Sequence, residues 1–128
     1  MITEDYVSFE TAKLLKEKGF DAVCTMIYTA DGELLYTDVK HHNMYAVTNK
    51  QLKYYTDIIA PSQAMAMKWL REVHNLYIDI RININNSLYF FKIYSVGISG
   101  ARAFTEYRIE SYEEACEVGI KYCLENLI

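Results

Sequence analysis

Proline is nearly absent: one residue in 128, at Pro61. With 52% hydrophobic and 23% charged residues, the chain has the composition of a folded protein rather than of disordered or low-complexity polypeptide. No run of Lys or Arg occurs, and the formal net charge is −4. That balance argues against a duplex DNA binder, whose phosphate contacts need a basic stripe. No apolar run approaches the ~20 residues that span a bilayer. The N-terminal "MITEDYVSFE" is acidic and lacks the basic-then-apolar order of a signal peptide. Cysteine is scarce as well. Cys24, Cys116 and Cys123 form an odd set at unpatterned spacing and read as reduced, buried thiols. The expectation is a cytoplasmic protein with residues 1–128 in a single domain, long enough to bury roughly two thirds of its unfolded surface without staples.

What the chain has in excess is tyrosine, twelve in all. Each ring combines apolar area with a hydroxyl that needs a partner, which suits half-buried sheet faces and interfaces.

Ser8 is placed to cap a first helix, "SFETAKLLKEKG". Gly19 falls where a left-handed residue ends it, with Phe20 against Leu15 as in a Schellman stop. "AVCTMIYTADGELLYTDV" reads as a hairpin with Asp31-Gly32 as a type I′ turn. Residues 40 to 59 are harder to read: "NMYAV" has the character of a strand and "KQLKYY" of a helical turn. "APSQAMAMKWLREVHN" is a helix capped by Ser62 or started by Pro61. Its 100° spacing gathers Met65, Ala66, Trp69, Leu70, Val73 and Leu76 on one face, with Gln63 away from it. Trp69 and Met65 are therefore core residues rather than an advertised binding surface.

In "LYIDIRININNSLYFFKIYSV", Ile78, Ile80, Ile82 and Ile84 alternate with Asp79, Arg81 and Asn83, so the isoleucines form the core face. A turn at Asn85-Asn86 sets Ile82 opposite Tyr89, Ile80 opposite Phe91 and Ile78 opposite Ile93. On the other face Asp79 meets Lys92 and Arg81 meets Phe90. A five-residue "GISGA" connection then pairs Lys92 with Glu106 and Phe91 with Tyr107, giving a charge row Asp79–Lys92–Glu106. "SYEEACEVGIKYCLENLI" is a helix with a capping box at Ser111 and Glu114. Tyr112, Ala115, Cys116, Gly119, Cys123 and Leu127 share its apolar face. Gly119 costs ~1 kcal/mol there relative to Ala, which close approach to the sheet would offset. The predicted fold is α+β in the order α-ββ-α-βββ-α: a mainly antiparallel sheet of hairpin and meander units with three helices packed on one sheet face, and room for one more strand near residue 45.

Catalytic chemistry finds little support. His41 and His42 are adjacent and project in different directions, His74 is distant, and the set matches known metal-ligand patterns poorly. Cys116 and Cys123 lie seven positions apart, roughly 10 Å along a helix, too far to share a disulfide or zinc. A cysteine nucleophile would need Cys24 with His41 or His42 as base, a bare coincidence of residue types. "GISG" lacks the lysine and helix of a phosphate loop. No enzyme, cofactor or metal site is expected.

What remains is the outward face of the second hairpin and its following strand: Tyr77, Arg81, Phe90, Lys92, Tyr94, Phe104 and Arg108. Aromatics interleaved with Arg and Lys on an open sheet suit a protein partner or a homodimer. They also suit single-stranded nucleic acid, which stacks on such rings, but the net charge disfavours that ligand. The plainer alternative is that another layer, the first helix or residues 40–59, covers the face.

The phrases "EDYVSFETAKLLKEKGF", "APSQAMAMKWLREVHN" and "SYEEACEVGIKYCLENLI" resemble a family of small uncharacterised proteins from gut anaerobic bacteria and their prophages. The likeness covers the first, middle and last helices, and its motifs are caps and core stripes. It implies a phage or mobile-element accessory protein and brings no catalytic residue with it.

Overall fold

The computed structural model of the chain describes residues 2–40, 46–52, 56–105 and 108–128, leaving aside the side chains of residues 39, 40 and 104. The fold is α+β, as the patterning predicts, with every strand pair antiparallel. It divides into two compact units, Met1–Ser62 and Gln63–Ile128.

The first unit contains α1 (Phe9–Glu17), β1 (Met26–Tyr28), β2 (Leu34–Tyr36), the short α2 (Thr37–Lys40), a 3₁₀ turn at Asn49–Gln51 and β3 (Ile58–Ile59). Ser8 caps α1 by accepting a hydrogen bond from Thr11 N, 3.2 Å. The predicted Schellman stop is present: Phe20 N donates to Leu15 O (2.9 Å), Gly19 N donates to Lys16 O (3.1 Å), and Gly19 sits at φ 88°. Leu15 and Phe20 are both buried.

The hairpin exists, but its turn is not type I′. Gly32 is left-handed and Asp31 is not among the residues with positive φ. Gly32 N donates to Thr29 O and Thr29 N to Glu33 O, both 2.9 Å. This is a three-residue loop: a type I turn closed by a left-handed glycine. A β-carbon on Gly32 would stand 3.2 Å from the Phe9 ring.

β1 is the central strand, between β2 and β3, so Met26, Ile27 and Tyr28 are all buried and the two-residue alternation disappears. β3 has no counterpart among the predicted elements. Its signal is the short apolar run "IIA" before Pro61, too brief for periodicity to show. The strand expected near residue 45 falls partly on residues 41–45, outside the described residues. Next to them, Cys24 and Val47 make an isolated antiparallel bridge. Asn49 ties this region together, with Nδ2 donating to Phe20 O (3.1 Å) and Oδ1 accepting from Ile59 N (2.9 Å).

The second unit contains α3 (Gln63–His74), β4 (Leu76–Asn83), β5 (Leu88–Ser95), β6 (Ala103–Phe104) and α4 (Tyr112–Asn126). Sheet order follows the chain, β4-β5-β6. The β4–β5 register is the predicted one throughout, from Tyr77↔Tyr94 to Ile82↔Tyr89. Its loop spans Ile84 to Ser87, with Ser87 N donating to Asn83 O (2.8 Å) and Ser87 at φ 59°.

Three expectations need correction. The buried stripe of α3 is shifted toward Gln63, which is buried with Ala66, Trp69 and Leu70 while Met65 is exposed; Val73 lies within the stripe by spacing but is 55% exposed in the last turn, beyond the cover. Gln63 Nε2 donates to Glu113 O at 2.9 Å, so a polar end is satisfied at the start of α4. Amphipathic spacing gives a stripe, and the neighbouring helix decides where its centre falls. Second, the isoleucine ladder is only half covered. Ile78 and Ile80 are partly buried, but Ile82 is 47% and Ile84 85% exposed, because the hairpin tip runs past the helices. Third, Lys92 pairs with Phe104 rather than Glu106, and Thr105 N donates to Phe91 O (3.0 Å). The turn begins at Val96, one residue early, with Ile98 N donating to Ser95 O at 3.3 Å. Glu106 and Tyr107 themselves lie outside the described residues.

Ser111 caps α4, accepting from Glu114 N at 3.0 Å. Ala115, Cys116, Gly119, Ile120, Cys123 and Leu124 form its buried face, and Tyr112 stands at the exposed margin with its ring edge-on to Tyr89, 6.1 Å between centroids. The close approach expected at Gly119 is there: a β-carbon would lie 2.9 Å from Ile78 Cγ2.

Candidate functional site

Alternation along β4 and β5 fixes which side chains look away from α4. Because Ile78 and Phe91 face Gly119, their neighbours Tyr77, Asp79, Arg81, Phe90, Lys92 and Tyr94 occupy the opposite face. Cross-strand partners on that face are Tyr77↔Tyr94, Asp79↔Lys92 and Arg81↔Phe90. Tyr77 is 42% exposed and Arg81 is exposed, while Phe90, Lys92 and Tyr94 are half-buried.

The remaining predicted residues are less closely joined to the group. Phe104 pairs with Lys92 through the backbone, and its side chain is outside what is described. Arg108 is exposed beyond the end of β6, next to Ile109, which bridges to Tyr89.

Electrostatics on the face differ from the cross-strand row. Asp79 Oδ2 accepts from Arg81 Nε at 2.8 Å along the same strand. That hydrogen bond, and then the carboxylate's charge, raises the Arg81 pKa above its ordinary value. The ion pair is solvent-exposed and contributes little to stability. Its effect is local: it neutralises the cation standing beside the aromatic rings.

The thiols of Cys24 and Cys123 are set apart from the face by burial. Burial pushes the half-buried Cys24 up to about 11 and Cys123 up to about 12, which is the behaviour of thiols packed in apolar surroundings. His41 and His42, the bases suggested for Cys24, lie outside the described residues. Among the described residues no group of three or more His, Cys, Asp or Glu is placed to hold a metal ion. A shallow depression of about 220 Å³ runs along the outside of α4, lined by Val118, Lys121, Tyr122, Glu125 and Asn126 of that helix alone. Among the described residues, no helix is long and apolar enough to cross a membrane.

No protein family, curated protein or solved structure matches the chain. The class is set by the fold itself: an α+β protein whose second unit presents an aromatic and charged sheet face.

Proposed function

We propose that the protein is a non-enzymatic binding protein that presents the Tyr77, Arg81, Phe90, Lys92 and Tyr94 face to a protein surface, either a partner's or that of a second copy. The observation that carries this reading is the exposure of Tyr77 and Arg81 directly across from Tyr94 and Phe90. Tyrosine and arginine are the residues that supply most binding energy when a protein surface closes over them. The helix phrases shared in resemblance with prophage proteins suggest an accessory role in the cytoplasm, and the raised Cys24 pKa supports a chain without thiol catalysis.

Single-stranded nucleic acid is the weaker reading, because the Asp79 carboxylate already occupies the one guanidinium within β4 and the chain carries net charge −4. Nucleic acid affinity depends on uncompensated cations.

The test is to immobilise the wild type and the Phe90→Glu/Tyr94→Glu variant and challenge both with the same cell extract, with sedimentation velocity on each in parallel. A protein, or a second copy, held by the wild type and released by the variant supports the reading. Equal retention by both, with a monomer at every concentration, overturns it. A labelled oligonucleotide at low salt should bind neither; binding that is lost in Arg81→Ala and Phe90→Ala would transfer the face to nucleic acid.

A further inference from the structure

β4 is an edge strand: it pairs with β5 on one side and, among the described residues, with no strand on the other. Its eight residues, "LYIDIRIN", contain no proline or lysine to blunt that edge. The direction of its main-chain groups follows from the neighbouring ladder. Arg102 N donates to Ile93 O, Thr105 N to Phe91 O, and Tyr89 N to Ile109 O. So residues 89, 91 and 93 of β5 direct their backbone groups toward the β6 side, and 90, 92 and 94 direct theirs toward β4. The latter stand opposite Arg81, Asp79 and Tyr77. In an antiparallel ladder the intervening residues then point the other way. Ile78, Ile80 and Ile82 offer their N–H and C=O groups to the free edge.

We propose that this edge pairs antiparallel with β4 of a second copy, about a two-fold axis at Ile80, joining two three-stranded sheets into one of six. Ile80 then meets its own counterpart and Ile78 meets the other copy's Ile82. All of these are residues whose backbone groups face outward, so about six inter-chain hydrogen bonds can form from the three pairs. Side-chain charge selects the register. With the axis at Ile80, Asp79 of each copy lies opposite Arg81 of the other, twice over, and the existing Asp79–Arg81 pairs close into a ring of four alternating charges. An axis at Asp79 or at Arg81 sets like charges face to face, and an axis at Ile78 or Ile82 gives neither charge an opposite partner. On the helix side, Ile82, 47% exposed in the single chain, gains an isoleucine neighbour. The interface is isologous, the form that closes as a dimer rather than a filament.

This goes beyond the reading above, because the second copy pairs with the β4 edge and not with the aromatic face, and it rests on that reading only for the use of the joined face. In that arrangement the aromatic surfaces of the two copies run on continuously and remain open for a further partner.

Sedimentation equilibrium of the full chain across roughly micromolar to hundreds of micromolar protein tests it. The wild type is expected to dimerise. Ile80→Pro removes an edge N–H without removing a β4–β5 hydrogen bond, and is expected to be a monomer with unchanged circular dichroism. Should that variant unfold, charge reversal decides. Asp79→Arg alone and Arg81→Asp alone each turn two attractive pairs into repulsive ones and are expected to raise the dimer Kd at least about tenfold. The double variant, which exchanges the two charges, is expected to return it to near the wild-type value. A wild type that stays monomeric throughout overturns the proposal. So does a dimer whose Kd is indifferent to both single reversals; if Phe90→Glu dissociates that dimer instead, self-association belongs to the aromatic face, and the reading of that face survives the loss of this one.

Discussion

Replacing Gly119 by alanine should destabilise the protein, against the ordinary expectation for a helix interior. On an open helix face, Gly→Ala gains ~1 kcal/mol. Here the added methyl would stand 2.9 Å from Ile78 Cγ2, 3.6 Å from Ile78 Cδ1 and 3.7 Å from Phe91 Cγ. The first contact is far too close, and the atom that must yield is a methyl on a branched Cβ, held by a strand paired to β5. Such a side chain has few χ1 alternatives. Overpacking of this kind costs ~1–3 kcal/mol, so Gly119→Ala is expected to lose about 1 kcal/mol net. In an Ile78→Ala background the obstruction is gone and the same change should gain about 1 kcal/mol, a coupling of about 2 kcal/mol between two touching residues. Urea unfolding of the four proteins, followed by far-ultraviolet circular dichroism, measures this cycle. If Gly119→Ala raises stability equally in both backgrounds, α4 does not approach β4 as described.

Gly19→Ala tests the end of α1. Nothing lies within 4 Å of a β-carbon there, but φ is +88°, so the loss of roughly 1 kcal/mol should be purely conformational, and Gly19→Asn should recover part of it. Cys24, with its thiol pushed up to about 11, should alkylate at pH 8 about tenfold more slowly than an unhindered cysteine, its scarcer thiolate being partly offset by higher nucleophilicity, and reaction at the free-thiol rate would contradict its packing. The sign of its linkage follows. The proton is held more tightly in the folded state, so the associated stability is present below the ordinary value of 9.0 and declines as pH rises toward about 11. His74 has the opposite sign. Burial lowers its pKa from 6.5, its ring lies edge-on to Trp69 at 4.7 Å, and its Nε2 is buried with no hydrogen-bond partner among the described residues. Stability should be complete above pH 6.5 and fall as pH drops below it. His74→Phe, which keeps the ring contact, should flatten that fall between pH 7 and 5, and an unchanged pH profile would show that another group is responsible.

Local chemistry made the helix ends readable in advance. Ser8, Gly19 with Phe20, and Ser111 each act within a few residues of themselves, so their caps needed no tertiary information. The β4–β5 register was legible for a related reason. Alternating isoleucines against alternating charges permit one alignment, since a single-residue slip would reverse every side chain. The aromatic face was readable to the same extent, as a period-two pattern. Its ion pair was not: cross-strand reasoning gave Asp79 to Lys92, whereas Arg81 two residues along the strand reaches it at 2.8 Å.

The sequence alone determined those elements whose information is carried by neighbours in the chain: caps, a hairpin alignment, a buried Trp69. Tertiary structure decided what depends on something distant. The α3 stripe takes in Gln63 because Glu113 O is there to receive its side chain. β3 became a strand because β1 offers it an edge. Ile82 and Ile84 stayed in solvent because the helices end before they do. Periodicity states which residues share a face, but how far along that face the cover extends depends on where another element stops, and no short stretch of sequence records that distance.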